Sequence, residues 1–536
     1  MPRRLFVFVL MIHACLPLVP AAGRDWPQWG GSCDRNMVCR TKGLPADFDP
    51  GVSGPGKTDP AATRNVRWVA KLGSQTYGTP TIFGGRVFVG TNNGAPRDRK
   101  YSGDRHVLMC FREADGRFLW QFNGPKVPEY KSFNGDFPKL GVCCSPTVDG
   151  DRVYIVTSRN DVLCLDVHGL ANGNDGPFTD EAALVAKPRV HRITEGAGRP
   201  VVEFVPGKPV PQGPADADVI WRFDMMKELN VWPQDATSCS VLIRGNCLYV
   251  GTSNGVDRSH RHIPNPRAPS LIVLDKRTGK LLAVDDAGIG PNIYHGQWSS
   301  PSLGVVNGRT LIFYGGGDGF CYAFDAEPTE SKGGGPGVLR KVWWFDCNPP
   351  EYKYRNGRKV RYKARGDGPS EIIATPAFDN NRVYVAVGQD PRHGYGKGCL
   401  SCIDATMFGD LTKDGKIWTY KDIDRTLSTV SVYDGLVYIA DYRGVVHCLD
   451  ADTGRVCWKH ETRQKIWGST FALDGRVYVG TGRGYLWVFA AGREKKILHK
   501  IKMNSSVYTT PVVANGTFYV TSQTHLYAVA AGREAK

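Results

Sequence analysis

The sequence predicts an all-β protein, and repetition along the 536-residue chain is the main reason. A hairpin motif recurs eight times; the copies begin at Thr79, Ser145, Ser240, Ser300, Thr375, Thr429, Ser469 and Thr510. In the first copy, "TPTIFGGRVFVGT", two glycines form the turn between two short apolar runs. Such turns, flanked by alternating residues, are typical of β-hairpins. A helical repeat is excluded because it would show a longer period and fewer Gly and Pro.

Each hairpin opens a unit of four strands. After most hairpins comes a third strand with a turn such as "CLDADTG", then a fourth strand that often carries Trp, as at Trp120 and Trp458. The last three units start at Thr429, Ser469 and Thr510, about 40 residues apart, which is the spacing of propeller blades. We therefore predict an eight-bladed β-propeller with four-stranded antiparallel blades.

The N-terminal part of the chain is predicted to close the ring. The eighth unit stops after "HLYAVAA" without a fourth strand, whereas "RNVRWVAKL" before the first hairpin is an orphan strand that contains Trp68. We expect this strand to pair with the last blade, which would leave no exposed sheet edge. The predicted propeller spans residues 64–531 and leaves a short tail at 532–536.

The segments outside the repeats suggest export. Residues 1–22 begin with Arg3 and Arg4, continue as an apolar run and end in small residues, which is typical of a secretory signal peptide. We expect a periplasmic or extracellular protein without a transmembrane segment. Residues 23–63 would form an N-terminal extension, and residues 166–218 an insertion in blade 2.

The charge balance constrains the partners only weakly. The chain has 68 Lys and Arg against 52 Asp and Glu, a formal net charge of +16. Such a surplus could favour an anionic partner, although a dispersed basic surface is the simpler interpretation. We expect a monomer that binds an envelope protein or a glycan, and no specific nucleic acid.

The repeated turn resembles a known family. Its pattern, apolar-Asp-x-x-Thr-Gly-Lys followed by Trp, is similar to the repeats of pyrroloquinoline quinone (PQQ) dehydrogenases and of BamB, the propeller lipoprotein of the outer-membrane barrel-assembly machine. "DWPQ" at Asp25 to Gln28 resembles the start of many exported PQQ-like propeller proteins. The resemblance covers Arg64 to Ala531. It implies the fold more than the function, because such repeats build both enzymes and binding scaffolds.

Several cysteines have a structural interpretation. Cys448 shares its repeat position with Cys110, Cys164 and Cys402, whereas the other blades place Val or Ala there. A position that accepts these small residues is a buried core position. We interpret Asp450 and Thr453 in the same motif as turn formers.

Cys143 and Cys144 are adjacent, as in the vicinal disulfide that covers the quinone in several PQQ dehydrogenases. In those enzymes an Asp and an Asn-Arg-Gly element follow, but in this chain "SPTV" of the next hairpin follows directly. The other blades place small residues at the position of Cys144, which favours close packing near the axis. A vicinal disulfide remains the alternative.

Four aromatic residues share the repeat position just before Cys144. They are Tyr77, Trp298, Trp467 and Tyr508. This position should lie where the central channel opens, so the rings could stack on a planar ligand or a sugar. Alternatively, they simply plug the channel. Trp298 and Trp467 are our first candidates for ligand contact.

The loops on one face are long and basic. The loops between strands two and three contain His260, His262 and His393, and the connection between blades 4 and 5 leads to Glu371. Long loops on one rim are where binding residues concentrate, so these four are candidates on the loop-rich face. The spacing of the histidines matches no compact metal motif, and we predict no metal.

Three functions remain open. The favoured one is a scaffold without catalytic residues or cofactor that binds a protein or glycan. The alternative is a PQQ- and Ca²⁺-dependent quinoprotein dehydrogenase for an alcohol or sugar, but its calcium ligands and quinone-binding Arg cannot be located by motif. Glu371, Asp257 or Asp390 could serve there if the fold assembles them. A hydrolase or lyase is the third, although no acid and base pair can be assigned.

Overall fold

The coordinates are a computed structural model that describes most of the chain. The described residues are 24–127, 137–196, 199–205, 207–235, 237–330, 333–362 and 368–530. The predicted signal peptide, residues 1–22, and the tail, residues 532–536, lie outside them. No helix among the described residues is long and apolar enough to cross a membrane.

Eight sheets, each with four antiparallel strands in succession, confirm the predicted propeller. Within each blade the strands follow one another from the axis outwards. In blades 1 to 4 they are Thr81–Phe83, Arg86–Asn92, Arg105–Arg112 and Phe118–Pro125; Thr147–Asp149, Arg152–Val156, Asp161–Asp166 and Val219–Asp224; Leu242–Arg244, Cys247–Gly251, Leu271–Asp275 and Leu281–Asp285; and Ser302–Val306, Arg309–Gly315, Phe320–Asp325 and Lys341–Asp346.

Blades 5 to 8 repeat this arrangement. Their strands are Ala377–Asp379, Arg382–Val387, Cys399–Asp404 and Lys416–Tyr420; Ser431–Tyr433, Leu436–Ala440, Val445–Asp450 and Val456–Glu461; Phe471–Leu473, Arg476–Gly480, Tyr485–Ala490 and Ile497–Lys502; and Val512–Ala514, Thr517–Thr521, His525–Val529 and Val66–Lys71.

A few short elements decorate the blades. Parallel fifth strands join blades 3, 4 and 7 at Gly337–Leu339, Gly409–Asp410 and Val38–Cys39. Separate strand pairs are Val52–Gly54 with Lys57–Thr58, Arg189–Gly196 with Arg199–Val205, and Tyr354–Arg355 with Arg358–Lys359. The short helices are Pro60–Ala62, Gly169–Asn172, Glu181–Leu184, Met225–Leu229, Gly290–Asn292 and Pro350–Lys353.

The predicted ring closure is confirmed. Strand Val66–Lys71 pairs antiparallel with His525–Val529, and Trp68 lies opposite Ala528. The Trp68 indole contacts Tyr519 within blade 8 and donates a hydrogen bond of 2.8 Å to the Glu113 carbonyl of blade 1. The first and last parts of the chain therefore complete one sheet.

The fourth-strand tryptophan of one blade packs on the turn after the third strand of the next blade and so joins the two blades. The Trp418 indole of blade 5 donates to the Ala451 carbonyl of blade 6 at 2.9 Å, and it lies on Gly454. Gly454 has φ of +68°, and a Cβ there would lie 2.7 Å from the Trp418 ring, so the motif requires Gly. Asp450 Oδ1 accepts hydrogen bonds from Thr453 N and Oγ1, as expected for turn formers.

The cysteines predicted for the core are buried on the third strands. Each lies directly opposite a fourth-strand tryptophan, in the pairs Cys110 and Trp120, Cys164 and Trp221, Cys402 and Trp418, and Cys448 and Trp458. A small side chain at this position leaves room for the indole. This packing explains why Cys, Val and Ala alternate there.

The N-terminal extension crosses the propeller on the face opposite the long loops. Backbone or side-chain atoms of residues 24–39 hydrogen bond to all eight blades, from Ile82 in blade 1 to Asn515 in blade 8. Most of the contacts lie near the turn between the first and second strands. The segment therefore covers the axis at this end.

Arg35 is the buried centre of this plug, with 0% of its surface exposed. Its guanidinium donates to the carbonyls of Pro301 and Val241 at 3.1 and 2.9 Å, and to Gln28 Oε1 at 3.1 Å. Burial lowers its pKa to about 10. Carbonyls from two blades thus fix the extension on the axis, because a buried charge needs such partners.

Candidate functional site

A pocket of about 230 Å³ lies on the axis above the plug. Trp29 of the extension lines it and donates from Nε1 to Thr375 Oγ1 at 3.2 Å. The extension closes this end of the channel, and lining residues such as Asp390 and Arg392 come from loops of the opposite face.

Eight hydroxyl side chains form a ring in the pocket wall, one from the start of each repeat. They are Thr79, Ser145, Ser240, Ser300, Thr375, Thr429, Ser469 and Thr510. Along most of the ring, the amide of one residue donates to the hydroxyl of the next blade; for example, Thr429 N donates to Ser469 Oγ at 2.9 Å. The Ser or Thr that opens each repeat therefore joins the blades and gives the wall polar groups.

The four aromatic residues predicted at the channel mouth all line this pocket and are half-buried. Tyr77 lies 5.5 Å from Tyr508 and 5.8 Å from Trp467, measured between ring centroids. Trp298 lies on the connection between blades 3 and 4, and its Nε1 donates a hydrogen bond to the Gln234 carbonyl at 3.2 Å. The rings line this volume, and plugging of the channel stays the alternative. Ligand contact stays a prediction.

Charged groups stand at the rim of the pocket. Asp235, Asp390 and Arg392 line it. Burial, together with the charge on Asp390, raises the pKa of Asp235 to about 6. Burial also opposes ionisation of Asp390, but a hydrogen bond from His393 and the nearby His295 hold its pKa below the ordinary value. Asp390 therefore ionises more readily than Asp235 does.

Three histidines meet beside this rim. His260 Nδ1 lies 2.9 Å from His295 Nε2. The ring centroid of His393 lies 4.4 Å from that of His260 and 5.2 Å from that of His295. The His295 ring also contacts the pocket residue Trp298 at 5.6 Å. The cluster adjoins the pocket, and one ring nitrogen from each histidine lies within 4.8 Å of the others.

The structure separates the candidates on the loop-rich face. His260 and His393 join the cluster, but His262 is exposed, and its Nδ1 lies 3.5 Å from Asp257 Oδ2. Glu371 is buried: its Oε1 accepts from Tyr362 OH and Asp390 N at 2.7 and 2.9 Å, and burial raises its pKa to about 8. Through these two hydrogen bonds Glu371 holds Tyr362 and the backbone of Asp390 in place.

Several site residues escaped the sequence analysis. His295 is the third member of the cluster, and Trp29, Asp235 and Arg392 line the pocket. One signal was available for His295, which stands three residues before Trp298 on the connection into blade 4. Trp29 gave no signal, because the extension lies outside the repeats.

Cys143 and Cys144 occupy different environments. Cys143 lines the pocket, whereas Cys144 is buried and its Sγ donates to the Val156 carbonyl at 3.3 Å. Both are free thiols in this structure, and burial raises the pKa of Cys144 to about 12. A vicinal disulfide stays a prediction for the oxidised protein.

These features define a PQQ-repeat β-propeller with a blind axial pocket. The family described as "Outer membrane protein assembly factor BamB" matches residues 60–280 and 397–495, more than half of the chain. The chain belongs to this family.

Curated relatives match a short segment. The chain is 33% identical over 73 residues to a quinoprotein ethanol dehydrogenase of Pseudomonas putida, covering 13% of this chain and 12% of that protein. The quinoprotein alcohol dehydrogenase PedE of the same species is 30% identical over 73 residues, covering 13% of this chain and 11% of that protein. The chain thus spans about one eighth of the length of these relatives.

Solved structures match over a longer range at low identity. BamB from Moraxella catarrhalis is 12% identical with a TM-score of 0.47, covering 87% of this chain and 98% of that one. The quinohemoprotein alcohol dehydrogenase of Comamonas testosteroni is 14% identical with a TM-score of 0.46, covering 96% and 81%.

Proposed function

We propose that this protein is an exported binding protein that takes one sugar ring of a glycan into its axial pocket. The observation that carries the proposal is the pocket itself, which is closed by Trp29 and lined by both aromatic rings and a ring of hydroxyls. Export rests on the signal-like sequence of residues 1–22.

The chemistry of the wall suits a sugar. Sugar rings present apolar C–H faces that pack on aromatic side chains, while their hydroxyls need hydrogen-bond partners. In this pocket Trp298 and Trp467 supply aromatic faces, and Asp390 with the hydroxyl ring supplies acceptors and donors. A protein partner would need a broader surface, because this pocket has room for little more than one or two side chains.

The pocket does not fit PQQ with calcium. PQQ carries several carboxylates, but the rim offers two carboxylates, Asp235 and Asp390, against the single guanidinium of Arg392. Calcium prefers six to eight oxygen ligands, often including amide side chains. None of the described residues that line the pocket is Asn or Gln. We therefore propose no quinone step.

Calorimetric titration with chitotriose and with soluble peptidoglycan strands tests the proposal. We expect one of them to bind, and Trp298→Ala or Trp467→Ala to weaken binding about five- to tenfold, because an aromatic contact contributes roughly 1–1.4 kcal/mol. The matched control is Trp344→Ala, a half-buried tryptophan on the outer strand of blade 4.

Two outcomes contradict the proposal. One is that neither glycan binds to the wild-type protein. The other is that binding survives both pocket variants, which would point to a broader surface on the loop-rich face of the kind that a protein partner uses.

A further inference from the structure

Three imidazoles from separate loops form a compact nitrogen-rich cluster outside the pocket wall. His260 comes from the loop between strands two and three of blade 3, His295 from the connection to blade 4, and His393 from the corresponding loop of blade 5. One ring nitrogen of each lies within 4.8 Å of the others. Residues 35 to 133 positions apart in sequence are thus brought to one point.

We propose that His260, His295 and His393 bind a divalent transition metal ion, with zinc as the expected metal. Neutral imidazole nitrogen is a favoured ligand of zinc, nickel and copper, whereas calcium and magnesium prefer oxygen. Three histidines with an open fourth position are a known arrangement for zinc.

The spacing of the nitrogens is close to that of a bound state. Two nitrogens on a tetrahedral zinc, each about 2.0–2.1 Å from the metal, lie roughly 3.3 Å apart. The His260 Nδ1 and His295 Nε2 atoms lie 2.9 Å apart, so a shift of a few tenths of an ångström would admit the ion. His393 stands close to both rings.

A carboxylate and a tyrosine ring pack against two of the proposed ligands. His393 Nδ1 lies 3.2 Å from Asp390 Oδ1, so a carboxylate stands beside this ligand, as is common around metal-binding histidines. His295 is fully buried and stacks on Tyr362 at 5.3 Å with an interplanar angle of 5°. Tyr362 is in turn held by its hydrogen bond to Glu371.

The loop conformation places His260 in the cluster and leaves His262 outside. Asp257 Oδ1 accepts from Ser259 N at 3.0 Å, and the His260 amide donates to the Asp257 carbonyl at 2.8 Å. His260 has φ of +55°, which is uncommon for a residue other than Gly and is enriched at ligand sites. His262 therefore offers a control from the same loop.

The competing interpretation is a purely structural stack of rings, held by the hydrogen bond between His260 and His295. Such a stack would have no affinity for metals. Full-length protein treated with a chelator and then titrated with CoCl₂ or ZnSO₄ distinguishes the two, with far-UV circular dichroism as the check that each variant is folded.

We expect one equivalent of Zn²⁺ by elemental analysis and visible d–d bands of tetrahedral Co²⁺. His260→Ala and His393→Ala, both half-buried residues on loops, should weaken metal binding at least tenfold. His262→Ala should leave it unchanged, and excess CaCl₂ should not displace cobalt. These readouts do not depend on glycan binding.

The proposal fails if the folded wild-type protein binds no stoichiometric metal. It also fails if His262→Ala weakens binding as much as His260→Ala, or if CaCl₂ competes, because either result would place the ion at another site.

Discussion

Replacing Trp68 by Ala removes the side chain that secures the joint between the two ends of the propeller. Trp68 is 8% exposed, and its indole contacts Tyr519 and donates to the Glu113 carbonyl at 2.8 Å. A tryptophan buries roughly 200 Å² of surface, and at about 25 cal/mol per Å² this corresponds to about 5 kcal/mol. The lost hydrogen bond adds about 1 kcal/mol. Partial relaxation reduces the sum, so we expect a loss of about 3–5 kcal/mol.

Urea unfolding followed by far-UV circular dichroism measures this loss. The control is Phe408→Ala, because Phe408 is 68% exposed and its removal should change the free energy of unfolding by less than about 0.5 kcal/mol. If Trp68→Ala behaves like this control, the N-terminal strand does not hold the ring closed and our explanation of the fold is wrong.

Two further variants test the turn motif and a buried acid. Gly454→Ala should lower the free energy of unfolding by about 2–4 kcal/mol, since it combines a left-handed backbone with a clash between the new Cβ and the Trp418 ring. The control is Gly435→Ala, where φ is +74° but no atom lies within 4 Å of an added Cβ. Thermal unfolding should show a loss of only about 1 kcal/mol for this control. Burial raises the pKa of Asp318, hydrogen bonded to Tyr322, to about 7. The folded state therefore holds this proton more tightly, and the free energy of unfolding should fall as pH rises from about 4 to about 7. Asp318→Asn should flatten that slope in urea titrations; equal slopes would refute the assignment.

The fold was predictable because its signals are local and repeated. Each hairpin carries its own turn and alternation, and the lone strand around Trp68 matched the one strand missing from the last unit. The repeat position of Cys448 could be interpreted without coordinates, because eight copies show which side chains one position accepts.

The site was predictable only where it follows the repeat. Trp298 and Trp467 share a repeat position and do line the pocket. His260 and His393 were candidates from the sequence, but their contact with His295 was not predicted, because the three residues lie on loops of unequal length that no repeat aligns. The plug was missed because residues 24–39 bind the blades largely through backbone hydrogen bonds, which leave no pattern in the sequence.

A crystal structure of the protein with chitotriose, or with a peptidoglycan strand if that binds instead, tests the central claim most directly. We predict a sugar ring on the axis, above Trp29 and against Trp298 or Trp467. A sugar bound on the outer edge of a blade, with the axial pocket filled only by water, would contradict it.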